Sequence, residues 1–152
     1  MDQSLSVVLP VRNAEATLAR QINQLLDILP DLTSRFEVLI VDDGSTDHTE
    51  ESARELAREF PQLKVVRHAA PQGASGVVQT GLEQASGEVV FVQDSEIPIS
   101  ANSLKKLWTL HRDEGRTAKP AAIDAGILGR LIAWSTNQRP AARPTHVLRR
   151  AH

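Results

Sequence analysis

The sequence predicts a three-layer α/β/α fold around a mainly parallel sheet, on three observations. Four short apolar runs rich in β-branched residues recur along the first two-thirds of the chain, amphipathic helical patterns lie between them, and polar or acidic turns follow the runs. Strand and helix in strict alternation argue for right-handed crossover units, with helices packed on both sides of the sheet.

The first run, Leu5 to Leu9, is nearly continuous rather than alternating, which implies a strand covered on both faces. It leads into Pro10-Val11-Arg12-Asn13, where Asn13 can cap the next helix with Glu15 in its first turn. Leu18, Ile22, Leu25, Leu26 and Leu29 share one face of that helix. The second strand is Phe36 to Val41. It is followed by a helix with Ala53, Leu56, Ala57 and Phe60 on one face. Leu63 to Val66 is the third strand, and Val77, Val78, Leu82 and Ala85 mark the third helix. The fourth strand runs from Glu88 to Val92, and Leu104, Leu107, Trp108 and His111 mark a fourth helix after Pro98. Beyond Gly115 the pattern weakens. The expected division is an α/β domain over residues 1–115 and an irregular extension over 116–152, placed to complete the sheet. From Arg130 to His152 that extension holds five arginines and no acidic residue, which reads first as a solvated tail.

The chain has 152 residues and can bury a real core. Its formal charge of -2 and 3% aromatic content offer neither attraction to nucleic acid nor platforms for stacked bases, so no nucleic-acid partner is expected. There is no cysteine, which excludes disulfides and thiolate metal sites and fits the cytoplasm. The polar amino terminus gives no expectation of a secretory signal. The apolar stretch Ile123 to Trp134 is short for a bilayer and contains Asp124 and Arg130, leaving peripheral membrane contact as the compatible membrane role. An unpaired sheet edge would also favour a homo-oligomer.

The most informative stretch is Asp42-Asp43-Gly44-Ser45-Thr46-Asp47, an acidic turn between the second strand and second helix. Ordinary turn chemistry and a capping box from Asp47 to Glu50 account for much of it. They leave unexplained two adjacent carboxylates at the end of a buried strand, whose repulsion has no evident structural return. In open α/β sheets ligands lie beyond the carboxyl ends of the strands, so this turn is a candidate site. A second acidic group, Gln93-Asp94-Ser95-Glu96, follows the fourth strand. In extended chain Asp94 and Glu96 point the same way, and paired carboxylates suit Mg2+ or Mn2+ that takes further ligands from phosphate. An exposed acidic turn before Pro98 is the plain alternative. A divalent ion would reconcile an acidic crevice with a pyrophosphate, and Asp43 could accept a hydrogen bond from a base imide N–H.

Three ordered segments resemble the family 2 glycosyltransferases of the GT-A fold. They are Ser6-Val7-Val8-Leu9-Pro10-Val11-Arg12-Asn13-Ala14-Glu15, Glu37 through Asp47, and Gly81 through Glu88 leading to Asp94-Ser95-Glu96. The resemblance implies that Pro10, Arg12, Asn13, Glu15, Asp42, Asp43 and Asp94 hold the nucleotide, and that the family's Asp-x-Asp metal motif falls on Asp94 and Glu96. It implies a nucleotide diphosphate sugar, a uridine one first, whose sugar passes to an acceptor hydroxyl with a divalent metal. The chain departs from the family in three ways. The metal motif ends in glutamate, Gln79 and Thr80 stand where Arg-Asn is expected, and nothing after Glu96 reproduces the family's acidic or Arg-Trp motifs. No residue is therefore assigned as catalytic base. The competing expectation is a catalytically inactive nucleotide-binding or assembly domain derived from such an enzyme.

Other chemistries lack their residues: there is no Gly-x-x-x-x-Gly-Lys, no Gly-x-Gly-x-x-Gly after the first strand and no Gly-x-Ser-x-Gly. His48, His68, His111, His146 and His152 are too scattered for a ligand set and read as surface or packing residues.

Overall fold

The computed structural model describes residues 3–93, 104–109, 121–122 and 131–135. In chain order the elements are β1 (Leu5–Val11), α1 (Leu18–Leu32), β2 (Phe36–Asp42), α2 (Thr49–Glu59), β3 (Leu63–Arg67), α3 (Gly73–Gln84), β4 (Val89–Gln93), a helical segment at 104–109, β5 (Ala121–Ala122) and β6 (Leu131–Ser135). They form one six-stranded sheet in the order β3-β2-β1-β4-β6-β5. The four strands read from the sequence are parallel neighbours, while β6 lies antiparallel to β4 and β5 antiparallel to β6. His111 lies outside the described residues.

Alternation along each strand divides the core in two. Val7, Leu9, Val38, Ile40, Val89 and Phe91 face α1, α2 and the 104–109 segment, burying Leu18, Ile22, Leu25 and Leu29. Phe91 meets Trp108 edge to face at 5.9 Å between ring centres. Val8, Leu39, Val41, Val90 and Val92 face the other way, onto Val77, Leu82 and Ala85 of α3. Gly81 makes that second contact close, because a Cβ there would stand 2.8 Å from both Cγ atoms of Val8.

The polarity of the buried ends differs from simple apolar filling. Near the amino ends of the strands, Glu37 accepts hydrogen bonds from Ser6 Oγ at 2.6 Å and Ser86 N at 2.7 Å, and pairs with Lys64 Nζ at 2.7 Å. Burial works to raise the Glu37 pKa, but Lys64, Ser6 and Ser86 together outweigh it and hold the group below its ordinary value.

β1 and β2 run farther than their apolar cores, through Val11 and Asp42. Pro10 is tolerated because it lies past Val8, the last β1 residue in register with β4, and is paired only with Val41 of β2. The strand order reverses direction at β1, with β2 and β3 on one side and β4 on the other. That switch point lies between the carboxyl ends of β1 and β4, where open α/β sheets bind their ligands.

Candidate functional site

Parallel pairing brings the loops after β1, β2 and β3 to one edge of the sheet, where they are tied together by side chains. Asn13, at a φ of 52°, uses its backbone N–H to donate to Ser45 Oγ at 2.8 Å. Its side-chain oxygen accepts from Thr46 N at 2.8 Å. Ala14 N donates to Thr49 Oγ1 at 2.7 Å, Glu15 N to Asp47 Oδ2 at 3.3 Å, and Glu15 Oε1 accepts from His48 N at 2.9 Å. Asn13 and Glu15 thus do not cap α1 as expected. The helix begins at Leu18, with Thr17 before it and no side-chain cap. Left-handed backbone at Asn13 turns its side chain toward the second loop instead.

Asp47 accepts from both the Thr49 hydroxyl and Thr49 N, and its pKa is lowered chiefly by that hydroxyl. The expected capping box fails at its other end, because Glu50 pairs with Arg54 at 3.0 Å and with Arg67 at 3.3 Å.

The two central carboxylates part company. Asp42, fully buried, accepts from Ser45 N at 3.0 Å and pairs with Arg67 Nη1 at 3.2 Å. The same guanidinium reaches Ser45 O at 3.2 Å. Asp43 Oδ1 accepts from His68 Nδ1 at 2.7 Å and Gln72 N at 2.8 Å, and Oδ2 from Gly73 N at 3.0 Å. Burial acts to raise the Asp43 pKa, yet His68 and the two amides prevail and hold it low. Asp43 therefore anchors the start of α3, complementing its positive end. The premise that this pair lacks a structural return is corrected: Arg67 and His68 neutralise or bind it without any guest, each 25 positions away in sequence. Gly44 allows the turn by its φ of 75° and by lying against Pro71, whose Cδ would be 2.7 Å from an added Cβ.

His68 is likewise not a mere packing residue, since Nε2 lies 2.8 Å from Thr80 Oγ1 while Nδ1 holds Asp43. A signal was available for both: Arg67-His68 closes β3 as Asp42-Asp43 closes β2, and register sets Arg67 beside Asp42. Pro10 is partly buried and Arg12 exposed, next to the tied loops. Asp94 and Glu96 lie outside the described residues, directly after β4 ends at Gln93.

Comparison with known proteins decides the family. The profile described as "Glycosyl transferase family 2" matches residues 6–148. The chain belongs to glycosyl transferase family 2. A dolichol-phosphate mannosyltransferase of Pyrococcus furiosus is 33% identical over 103 residues, covering 68% of this chain and 28% of that protein. A beta-monoglucosyldiacylglycerol synthase of Synechocystis is 36% identical over 105 residues, covering 66% of this chain and 21% of that protein. The chain thus spans about a quarter of the length of these relatives.

Two solved structures agree in fold. The mannosyltransferase PcManGT from Pyrobaculum calidifontis, in complex with GDP-Man and Mn2+, superposes with a TM-score of 0.64 at 21% identity, covering 89% of this chain and 45% of that one. S. aureus TarS 1-349, in complex with UDP-GlcNAc, gives 0.58 at 31% identity, covering 74% of this chain and 32% of that one. The family 2 chain has the GT-A fold, with its mainly parallel sheet flanked by helices.

Proposed function

We propose that this family 2 chain binds a uridine diphosphate sugar across the carboxyl ends of β1, β2 and β4 and transfers the sugar to an acceptor hydroxyl. The observation that carries this reading is Asp43. It is held as a hydrogen-bond acceptor at the end of β2, and its side chain keeps 11% of its surface exposed. A carboxylate so placed suits a ring N–H of the base. The likeness to TarS, solved with UDP-GlcNAc, supports uridine. Pro10, Arg12, Asn13 and Glu15 line the neighbouring loop, and the ties from Asn13 and Glu15 to the second loop give the site a preorganised wall. Asp42, engaged by Arg67 and Ser45, acts through the turn's shape.

Asp94 and Glu96 are the proposed ligands for Mg2+ or Mn2+, whose hard oxygen preference their carboxylates match. An ion held there would offset charge on the departing diphosphate. Relatives named for dolichol phosphate and a diacylglycerol support an acceptor presented at a membrane surface. Such an acceptor would be met peripherally by the described part, in which no helix is long and apolar enough to cross a membrane.

Thermal denaturation with uridine diphosphate, with and without Mn2+, tests binding; release of sugar from uridine diphosphate sugars tests chemistry. Transition temperature should rise with the nucleotide and rise further with Mn2+, and Asp94→Ala should remove the Mn2+ increment and any turnover. The internal satisfaction of Asp42 and Asp43 favours one second reading, a nucleotide-binding domain without catalysis. A rise in transition temperature without turnover selects it, and no rise with any nucleotide rejects both.

A further inference from the structure

His68 is a buried titratable side chain, 6% exposed, that the donor site as drawn above does not use directly. Its two ring nitrogens are committed in opposite directions, Nδ1 to Asp43 Oδ1 at 2.7 Å and Nε2 to Thr80 Oγ1 at 2.8 Å. An ionised carboxylate accepts hydrogen bonds and cannot donate, so Nδ1 carries the proton in this pair. Thr80 sits on α3, whose first residue Gly73, together with Gln72, donates to the same carboxylate. The ring therefore braces Asp43 against a helix already docked on the sheet through Val77 and Leu82.

Three donors occupy Asp43: the imidazole and two backbone amides. A carboxylate has about four lone-pair positions, so one remains, on Oδ2, for a group outside the protein. Its direction is set by the other three bonds: the two amides, from consecutive residues at the start of α3, take one oxygen each, and the imidazole adds a second bond to Oδ1. The imidazole is the one side-chain donor among the three, joining the residue after β3 to the carboxylate.

We propose that His68, braced by Thr80, is a positioning residue that aims the free acceptor site of Asp43 at the base, selecting one that offers a ring N–H, such as uracil, over cytosine, whose ring nitrogen there is an acceptor. The inference rests on the donor-site reading given above. It also gives Thr80 a role at a position where the family resemblance leads one to expect a different residue.

Isothermal titration of the full chain with uridine diphosphate and cytidine diphosphate tests it, because the two ligands differ only at the base edge. The ratio of their affinities within one variant does not depend on how much of that variant is folded. In the unaltered chain the uridine ligand should bind at least about tenfold more tightly, the scale of one hydrogen bond to a charged acceptor. His68→Asn places an amide nitrogen near the position of Nδ1 and should keep most of that ratio. His68→Gln reaches only the Nε2 position and should bring the ratio to near one. Thr80→Val, which frees the ring, should lower the ratio about threefold, part of the value of a neutral hydrogen bond.

Binding of neither nucleotide by the unaltered chain sinks the donor-site reading and the role of His68 with it. If the unaltered chain prefers uridine diphosphate and His68→Gln and Thr80→Val keep that preference, the donor site stands and the inference about His68 is overturned. Equal binding of both ligands by the unaltered chain, or loss of the ratio in His68→Asn as well as His68→Gln, also overturns it.

Discussion

Both ends of this sheet bury carboxylates, and their hydrogen bonds look alike. At the amino end Glu37 takes Lys64, Ser6 and Ser86; at the carboxyl end Asp43 takes His68, Gln72 and Gly73. Both are held below their ordinary pKa because donors outweigh burial. A buried, low-pKa carboxylate therefore does not by itself mark a site. The difference is position. Glu37 closes a joint between β1, β2 and the turn before β4, whereas Asp43 stands where three loops converge beside the strand-order reversal.

The sharpest way to break this comparison is to truncate both groups. Glu37→Ala strands the Ser6 hydroxyl and the Ser86 amide, and should cost about 2–4 kcal/mol in urea unfolding while leaving nucleotide affinity intact. Asp43→Ala should cost about 2–3 kcal/mol and also abolish measurable binding of uridine diphosphate. Equal effects of the two on binding would erase the distinction between the ends.

Arg67→Met probes the support behind the turn. It leaves Asp42 buried without its cation and should cost about 2 kcal/mol, below the penalty for a fully enclosed pair because the Arg67 side chain is 31% exposed. Nucleotide binding should weaken with it, since Arg67 also holds the Ser45 carbonyl. A stability loss with unchanged affinity would show that the shape of the turn is indifferent to the ligand.

The smallest effect is in pH. Folded-state pKa values of Glu37 and Asp43 lie below their unfolded values of about 4.3 and about 3.9, so their stabilisation is complete above those unfolded values and is lost as pH falls through the folded ones. Unfolding free energy should be flat near about pH 6 and fall toward about pH 3, and Glu37→Gln and Asp43→Asn should each flatten part of that descent. A descent unchanged in both variants would assign acid sensitivity to other groups.

The period of the apolar residues made β1 to β4 and the first three helices legible, because a two-sided sheet demands continuous strands and an outer helix demands one apolar stripe. The extra length of β1 and β2 was not legible, since Pro10 and Asp42 belong to strands only through pairing with a neighbour. Nor was the antiparallel register of Leu131–Ser135, which the edge of β4 sets. At the site, the place of the acidic turn at the end of β2 could be read directly. For Arg67 and His68 the sequence carried one signal, their place closing β3 as Asp42-Asp43 closes β2; for Thr80 it carried none, and the expected helix cap at Asn13 proved to be a tie between loops.

What the sequence alone determined was the order of strands and helices and the acidic turn at the carboxyl end of β2, because side-chain periodicity and turn chemistry act over a few neighbouring residues. Tertiary structure alone decided which groups those acids meet. Asp42 and Asp43 find Arg67 and His68 across 25 positions of sequence only when β3 lies against β2, since hydrogen bonds and ion pairs depend on separations of a few ångströms that pairing creates.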